Sequence, residues 1–285
     1  MKRRLPLWFI FGGVLVILIM LPPAIKWLDR QTAEEPLRNL WGVLWWNEDW
    51  SSAEELPHNL KRDWLELKNS NEPIRIAHAL GGAGTEEANT LTSLRQAIRE
   101  GVQLFEVDIW LDDHMQLRCF HGGKDQSVPP IIMLGPDDCT LQRLLDEFKT
   151  MGGWLILDIK SDFSQTGEMI FSTLKSSEQS HRVIFQLYRP EHIALFSKWA
   201  SQLPLQTPIV TAYASHRGVQ HIANQINRIG ASAMALPISA RERLTRRPSG
   251  VIFMLHPIHS CESWYQSKDW GAAGVFISNY LICDK

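Results

Sequence analysis

The sequence predicts an α/β chain folded as a (β/α)8 TIM-type barrel and preceded by an N-terminal transmembrane helix. Three observations point there. Eight short apolar runs rich in β-branched residues alternate with segments of helical period from Ile74 to the C-terminus. A length of 285 residues suits one large α/β domain. An apolar stretch from Leu5 to Ile25 follows the basic Lys2, Arg3 and Arg4.

That stretch is interrupted only by Pro6, Gly12, Gly13, Pro22 and Pro23, and it approaches the roughly 20 residues a helix needs to cross a bilayer. Its basic flank stays cytoplasmic, which places everything after Trp27 outside, on the periplasmic side of a bacterial inner membrane. A cleaved signal peptide is the competing reading. Gln31-Thr32-Ala33 makes a poor cleavage site, so an uncleaved signal anchor over residues 1–28 is preferred. Residues 29–72 form a connecting segment that carries Trp41, Trp45, Trp46, Trp50 and Trp64. The first three share one face of a helix, and indoles suit either a membrane–water boundary or packing against the barrel. The barrel occupies residues 73–285.

Within it the expected strands are Ile74–His78, Leu104–Ile109, Trp154–Ile159, Val183–Leu187, Pro208–Thr211, Ala233–Leu236, Val251–Leu255 and Gly274–Ser278. The expected helices are Thr90–Glu100, Leu141–Thr150, Gly167–Ser176, Glu191–Ser201, Gly218–Ile229, Ala240–Arg246 and Ser260–Ser267. This alternation implies a parallel sheet. A doubly wound open sheet is the rival, weakened because no glycine-rich phosphate fingerprint follows the first strand. Only seven residues follow Ser278, too few for a closing helix, so part of Pro36–Leu67 is expected to cover that gap.

Composition narrows the partners. A formal net charge of −2 and the lack of a basic stripe argue against nucleic-acid binding. The four cysteines, Cys119, Cys139, Cys261 and Cys283, show no CxxC spacing, which excludes the familiar zinc and redox patterns. Three disulfide pairings are open, and so are free, buried thiols. The bilayer is an expected partner, and no protein partner is expected.

The chemistry centres on LFEVDIWLDDHMQLRCFH, residues 104–121. Side chains two apart on a strand share a face, so Glu106 and Asp108 stand together inside an apolar run. Two carboxylates there repel each other and lose hydration, and a hard divalent cation with oxygen ligands offsets both costs. An edge strand showing two acids to water is the plainer alternative. Barrels place functional groups at the C-terminal ends of strands. That rule brings His78, Glu106 with Asp108, and Asp158 with Lys160 to one rim, with His121 returning to it. Singly, each has an ordinary role: a hydrogen-bonded strand-end histidine, a same-face ion pair, a turn residue. Together they make a three-carboxylate site ringed by two imidazoles that titrate near neutrality and an ammonium. Gln186, Tyr188, Tyr213, His256 and Asn279 should face the mouth and shape a substrate pocket, with structural roles equally open.

The runs IAHALGG, ANTLTSLRQAIREGVQLFEVDIWLDDHMQL, FHGG and LILDIK resemble the glycerophosphodiester phosphodiesterases, part of the phospholipase-C-like phosphodiesterase superfamily. The resemblance matches His78, Asn89-Thr90, Glu106 with Asp108, His121, and Asp158 with Lys160 to the family pattern. It departs at Ala79, where an Arg is usual, at Ala88 in place of Glu, and at Gly122 in place of Asp, so the chain looks like a His-Ala branch. The resemblance implies a metal-dependent phosphoric diester hydrolase acting on glycerophosphodiesters or (lyso)phospholipid-like substrates at the membrane surface. Glu106, Asp108 and Asp158 would hold Mg2+ or Ca2+. His78 and His121 would be general acid and base, and Lys160 would stabilise the phosphate charge. Cleavage to a cyclic phosphate, or a non-catalytic tethered barrel that binds a head group or a partner protein, are the alternatives.

Overall fold

The computed structural model describes residues 50–67, 72–121, 138–212, 219–238, 247–278 and 283. The chain divides into two compact units, residues 1–47 and 48–285, and all described residues belong to the second. The anchor at 1–28, Trp41, Trp45, Trp46, the helix at 240–246, Tyr213 and Asn279 therefore lie outside the described residues. No helix among the described residues is long and apolar enough to cross a membrane.

The strands are β1 (Ile74–Ala77), β2 (Leu104–Leu111), β3 (Leu117–Cys119), β4 (Trp154–Ile159), β5 (Val183–Leu187), β6 (Ile209–Thr211), β7 (Ala233–Pro237), β8 (Ile252–Ile258) and β9 (Gly274–Ile277). All but β3 run parallel, in the order β1-β2-β4-β5-β6-β7-β8-β9, and β9 returns to pair with β1. The sheet is thus a closed eight-stranded barrel, and the open-sheet rival falls. β3 adds to β2 as an antiparallel hairpin with Ile109 opposite Cys119. That pairing carries β2 two residues past its expected end, so Glu106 and Asp108 sit inside the strand rather than closing it.

The described helices are α1 (Leu91–Arg99), α2 (Leu141–Phe148), α3 (Phe163–Lys175), α4 (Glu191–Ala200), α5 (Val219–Arg228) and α6 (Cys261–Asp269). Their starts follow local capping chemistry. Thr90, Thr140 and Ser260 each accept a hydrogen bond from the backbone N–H three residues on. α3 begins four residues earlier than expected, because Asp162 caps it by accepting from Gln165 N at 2.8 Å. Gly167 lies inside that helix, because a Cβ there would stand 2.1 Å from the Trp199 ring of α4.

Alternation along the strands splits the core in two. Ile76, Leu104, Ile156, Ile184, Ile209, Ala235, Met254 and Phe276 fill the barrel interior, whereas Val107, Leu157, Phe185, Val210, Leu255 and Val275 face the helices. Trp64, fully buried in the short helix Asp63–Leu67, belongs to the interior cluster and donates its Nε1–H to the Thr207 carbonyl at 3.3 Å. Thr207 precedes β6, so the indole closes the N-terminal floor of the barrel. Trp50 is also buried, with its backbone N–H on Gln225 of α5. Both tryptophans are core residues. The segment attaches to the barrel, but its hydrogen bonds to Leu205, Thr207, Gln225, Arg228 and Ile229 put residues 50–67 beside β6 and α5. That is not the β9–β1 side where a gap-filling role was expected, and the rest of the expected segment, residues 36–49, lies outside the described residues.

All four cysteines are paired, Cys119 with Cys139 and Cys261 with Cys283, which removes the free-thiol reading. The backbone explains the first bond. Cys119 N donates to Cys139 O at 3.0 Å, and an antiparallel bridge joins Arg118 to Thr140, bringing the two Cα atoms to 5.1 Å.

Candidate active site

Two polar strands build the floor of the site. Asp108 stands opposite Asp158 in the β2–β4 register, and Glu106 lies two residues before Asp108 on the same inward face. All three are buried, at 2–3% exposure, and each offers a carboxylate oxygen within 4.8 Å of the other two. The Lys160 ammonium sits between two of them, 2.6 Å from Asp158 Oδ2 and 3.1 Å from Asp108 Oδ1. With all three acids ionised, one ammonium would leave two negative charges, the charge a divalent cation would offset.

Surrounding groups hold these acids in place. The Ala79 N–H donates to Glu106 Oε2 at 2.7 Å. To aim it there the chain turns left-handed at Ala79 (φ 49°) and Leu80 (φ 59°), a conformation uncommon for residues with a Cβ. Gly82 is needed in the same turn, because a Cβ would meet the Glu87 carbonyl oxygen at 2.4 Å. Asn89 reaches Asp108 twice: its Nδ2 donates to Oδ2 at 2.8 Å, and its Oδ1 accepts from the Asp108 backbone at 3.0 Å. Tyr188 donates its hydroxyl to Asp158 Oδ2 at 2.5 Å and accepts from Gln186 Nε2 at 2.8 Å. Tyr188 and Gln186, expected as pocket residues, are thereby placed as supports for an acid. Asp158 Oδ1 is buried with no hydrogen-bond partner.

Electrostatics report the strain of this cluster. Burial raises the pKa of Glu106 well above the carboxylate range, and the neighbouring Asp108 and Asp158 raise it further. Burial also raises Asp158. For Asp108 burial is outweighed by Lys160, His121 and the Asn89 hydrogen bond, and the net shift is downward. Burial by itself would lower Lys160, yet the carboxylates of Asp158, Asp108 and Glu106 drive it up. A divalent ion fits this donor set. Its oxygens are hard, one is orphaned, and two of the acids are short of compensating charge.

The histidines complete the rim. His78 follows β1 and sets its ring edge-on to Phe276 at 6.2 Å, with Nδ1 buried and without a partner. Burial lowers its pKa to about 4, so the ring is neutral at pH 7, not poised near neutrality as its residue type suggests. His121 follows the β3 hairpin and lies near enough for its charge to act on both His78 and Asp108. His256 packs on the other side of Phe276, at 5.8 Å. Sequence reasoning missed two buried inward-facing residues, Thr211 and Ser278. Alternation from Ile209 and Phe276 could have located both.

No protein-family model and no curated protein matches the chain. Solved structures do. A glycerophosphodiester phosphodiesterase from Parabacteroides distasonis superposes with a TM-score of 0.58 at 14% identity, covering 73% of this chain and 94% of that one. An Oleispira antarctica phosphodiesterase, solved in complex with the product sn-glycerol-3-phosphate, gives 0.54 at 18% identity over 74% and 95%. The glycerophosphodiester phosphodiesterase from Thermotoga maritima gives 0.51 at 13% identity over 73% and 96%. The chain has the glycerophosphodiester phosphodiesterase fold. At these identities the likeness is one of architecture, and it agrees with the family resemblance of the motifs from His78 to Lys160.

Proposed function

We propose that this protein is a metal-dependent phosphoric diester hydrolase acting on glycerophosphodiesters or (lyso)phospholipid-like substrates. The observation that carries the reading is the convergence of three buried carboxylates and Lys160 at the C-terminal mouth of a barrel of this fold. Glu106, Asp108 and Asp158 would hold Mg2+ or Ca2+. When bound, the cation supplies positive charge to the non-bridging phosphate oxygens.

The remaining chemistry belongs to the chain. Lys160 adds its ammonium at the same oxygens. Of His78 and His121, one imidazole takes the proton of the attacking hydroxyl and the other returns a proton to the leaving alcohol, so the pair ends with charge balanced. Asn89, Tyr188 and the Ala79 N–H orient the acids. The signal-anchor sequence of residues 1–28 supports a single-pass protein with its barrel outside the cytoplasm. Two disulfides support the same placement, since such bonds persist in oxidising compartments.

The test is turnover of glycerophosphodiesters, lysophospholipids and a nitrophenyl phosphodiester by the full chain, with and without chelator. Activity should vanish with chelator and return with Mg2+ or Ca2+. It should fall about 10²–10⁴-fold in His121→Ala. Turnover that ignores the chelator would refute the mechanism. Metal binding with no turnover on any substrate would favour the head-group-binding alternative.

A further inference from the structure

Each acid of the site has one oxygen already taken by a donor of the chain. Glu106 accepts the Ala79 N–H on Oε2 at 2.7 Å, and Asp108 accepts the Asn89 amide on Oδ2 at 2.8 Å. On Asp158 the taken oxygen is Oδ2, which accepts the Tyr188 hydroxyl at 2.5 Å and the Lys160 ammonium at 2.6 Å. A carboxylate oxygen has two lone pairs, so these two donors fill it. The other oxygen, Asp158 Oδ1, is buried without a hydrogen-bond partner. Asp108 Oδ1 also lacks a hydrogen-bond partner and meets the Lys160 ammonium at 3.1 Å.

The Tyr188 hydroxyl is itself held in place. A phenol has one proton, and here it goes to Asp158. The oxygen must then accept, and Gln186 Nε2 donates to it at 2.8 Å. Gln186 is buried and stands opposite Asp158 in the β4–β5 register, so the amide supports the tyrosine from the neighbouring strand. Without the hydroxyl, Asp158 Oδ2 would keep only the Lys160 donor, and one of its lone pairs would open.

Denticity of this kind separates hard cations. Ca2+ gathers about 6–8 oxygens at roughly 2.3–2.6 Å, often with both oxygens of one carboxylate, whereas Mg2+ takes about six at roughly 2.0–2.1 Å and keeps several waters. We infer that Tyr188, held by Gln186, fixes Asp158 as a one-oxygen ligand and so tunes the site toward Mg2+ over Ca2+. The inference rests on the proposed function for the presence of an ion at the three acids. The chain offers one open oxygen per acid, which suits the ion that needs fewer and retains water. Ca2+ would draw on second oxygens that already carry donors, and taking them breaks a hydrogen bond from Ala79, Asn89 or Tyr188.

The experiment titrates Mg2+ alone and Ca2+ alone into the metal-free full chain by calorimetry, with turnover of a nitrophenyl phosphodiester measured in parallel. The parent should bind Mg2+ at least as tightly as Ca2+. Tyr188→Phe keeps the ring and removes the hydroxyl. It should weaken Mg2+ about 10-fold or more, the usual cost of losing a group that orients a ligand, and leave Ca2+ binding unchanged or tighter. Gln186→Leu should move the ratio in the same direction by less, and it carries the test should Tyr188→Phe fail to fold. A merely structural role would weaken both ions together, and that result overturns the inference. So does a parent that binds Ca2+ more tightly. The expected selectivity without turnover of any phosphodiester would sink the hydrolase reading and leave the inference standing. Binding of neither ion overturns both.

Discussion

Glu106 shows how one residue serves the site at the expense of the fold. It is buried beside two further carboxylates, and both burial and their charge disfavour its ionised form. Glu106→Gln keeps the shape and an oxygen for the Ala79 N–H while removing one negative charge. We predict that the metal-free variant melts at a higher temperature than the parent at pH 7, while losing the stabilisation that excess Mg2+ or Ca2+ gives the parent. Calorimetric melts with and without metal read both effects, and phosphodiesterase activity should drop about 100-fold or more, as for loss of a charge-stabilising group. His192 offers a second residue-scale test, away from the site. It stacks on Phe163 at 3.9 Å with the rings 2° from parallel, and burial lowers its pKa to about 4. The folded protein thus binds fewer protons than the unfolded chain between its ordinary pKa, ~6.5, and about 4. Stability from this group is full above that window and is lost as pH falls through it. His192→Leu should flatten the acid limb of a urea-denaturation series across those pH values.

At the scale of elements, helix contacts set the ring around the barrel. Gly167 of α3 leaves the space that Trp199 of α4 fills, with Trp199 Nε1 donating to Glu168 at 3.1 Å. Gly167→Ala should therefore destabilise the fold by about 1–3 kcal/mol despite the better helix propensity of alanine, because overpacking against a fixed ring outweighs it. Chemical denaturation would reveal the loss, and a stabilised variant would mean that the indole is free to move. The β2–β3 hairpin acts at the same scale. Its pairing carries β2 to Leu111 and delivers His121 back toward Asp108, while the Cys119–Cys139 bond ties the hairpin to the chain leading into α2. The helix expected at Gly167–Ser176 starts earlier because Asp162 caps it at Phe163, and Gly167 is accommodated inside it because the Trp199 ring takes the place of a side chain.

For the whole molecule, the barrel is a closed cylinder with one polar end and one sealed end. Acids, imidazoles and Lys160 occupy the mouth, and Trp64 seals the floor under an apolar interior. Trp64→Ala should cost about 3–5 kcal/mol, the usual range for emptying a buried aromatic site. Equilibrium unfolding measures it, and a near-neutral result would mean that the segment from Trp50 to Leu67 is dispensable to the barrel. Because this segment precedes β1 in sequence and binds beside β6, the loss should also expose the turn around Thr207 to faster hydrogen exchange.

The sequence by itself determined the barrel and the acid set. Strand alternation is a local pattern, and the Glu106–Asp108 spacing puts both acids on one face wherever the strand lies. Asp158 and Lys160 repeat that spacing on the next parallel strand, so their convergence follows once the sheet is parallel. Tertiary structure decided the rest. The cysteine pairing, the floor made by Trp64, the neutral state of His78 and the support of Asp158 by Tyr188 all depend on which distant groups come into contact. An extra residue in β8 is of the same kind, since strand side chains alternate with a period of two and one inserted position returns Ile258 to the helix-facing core.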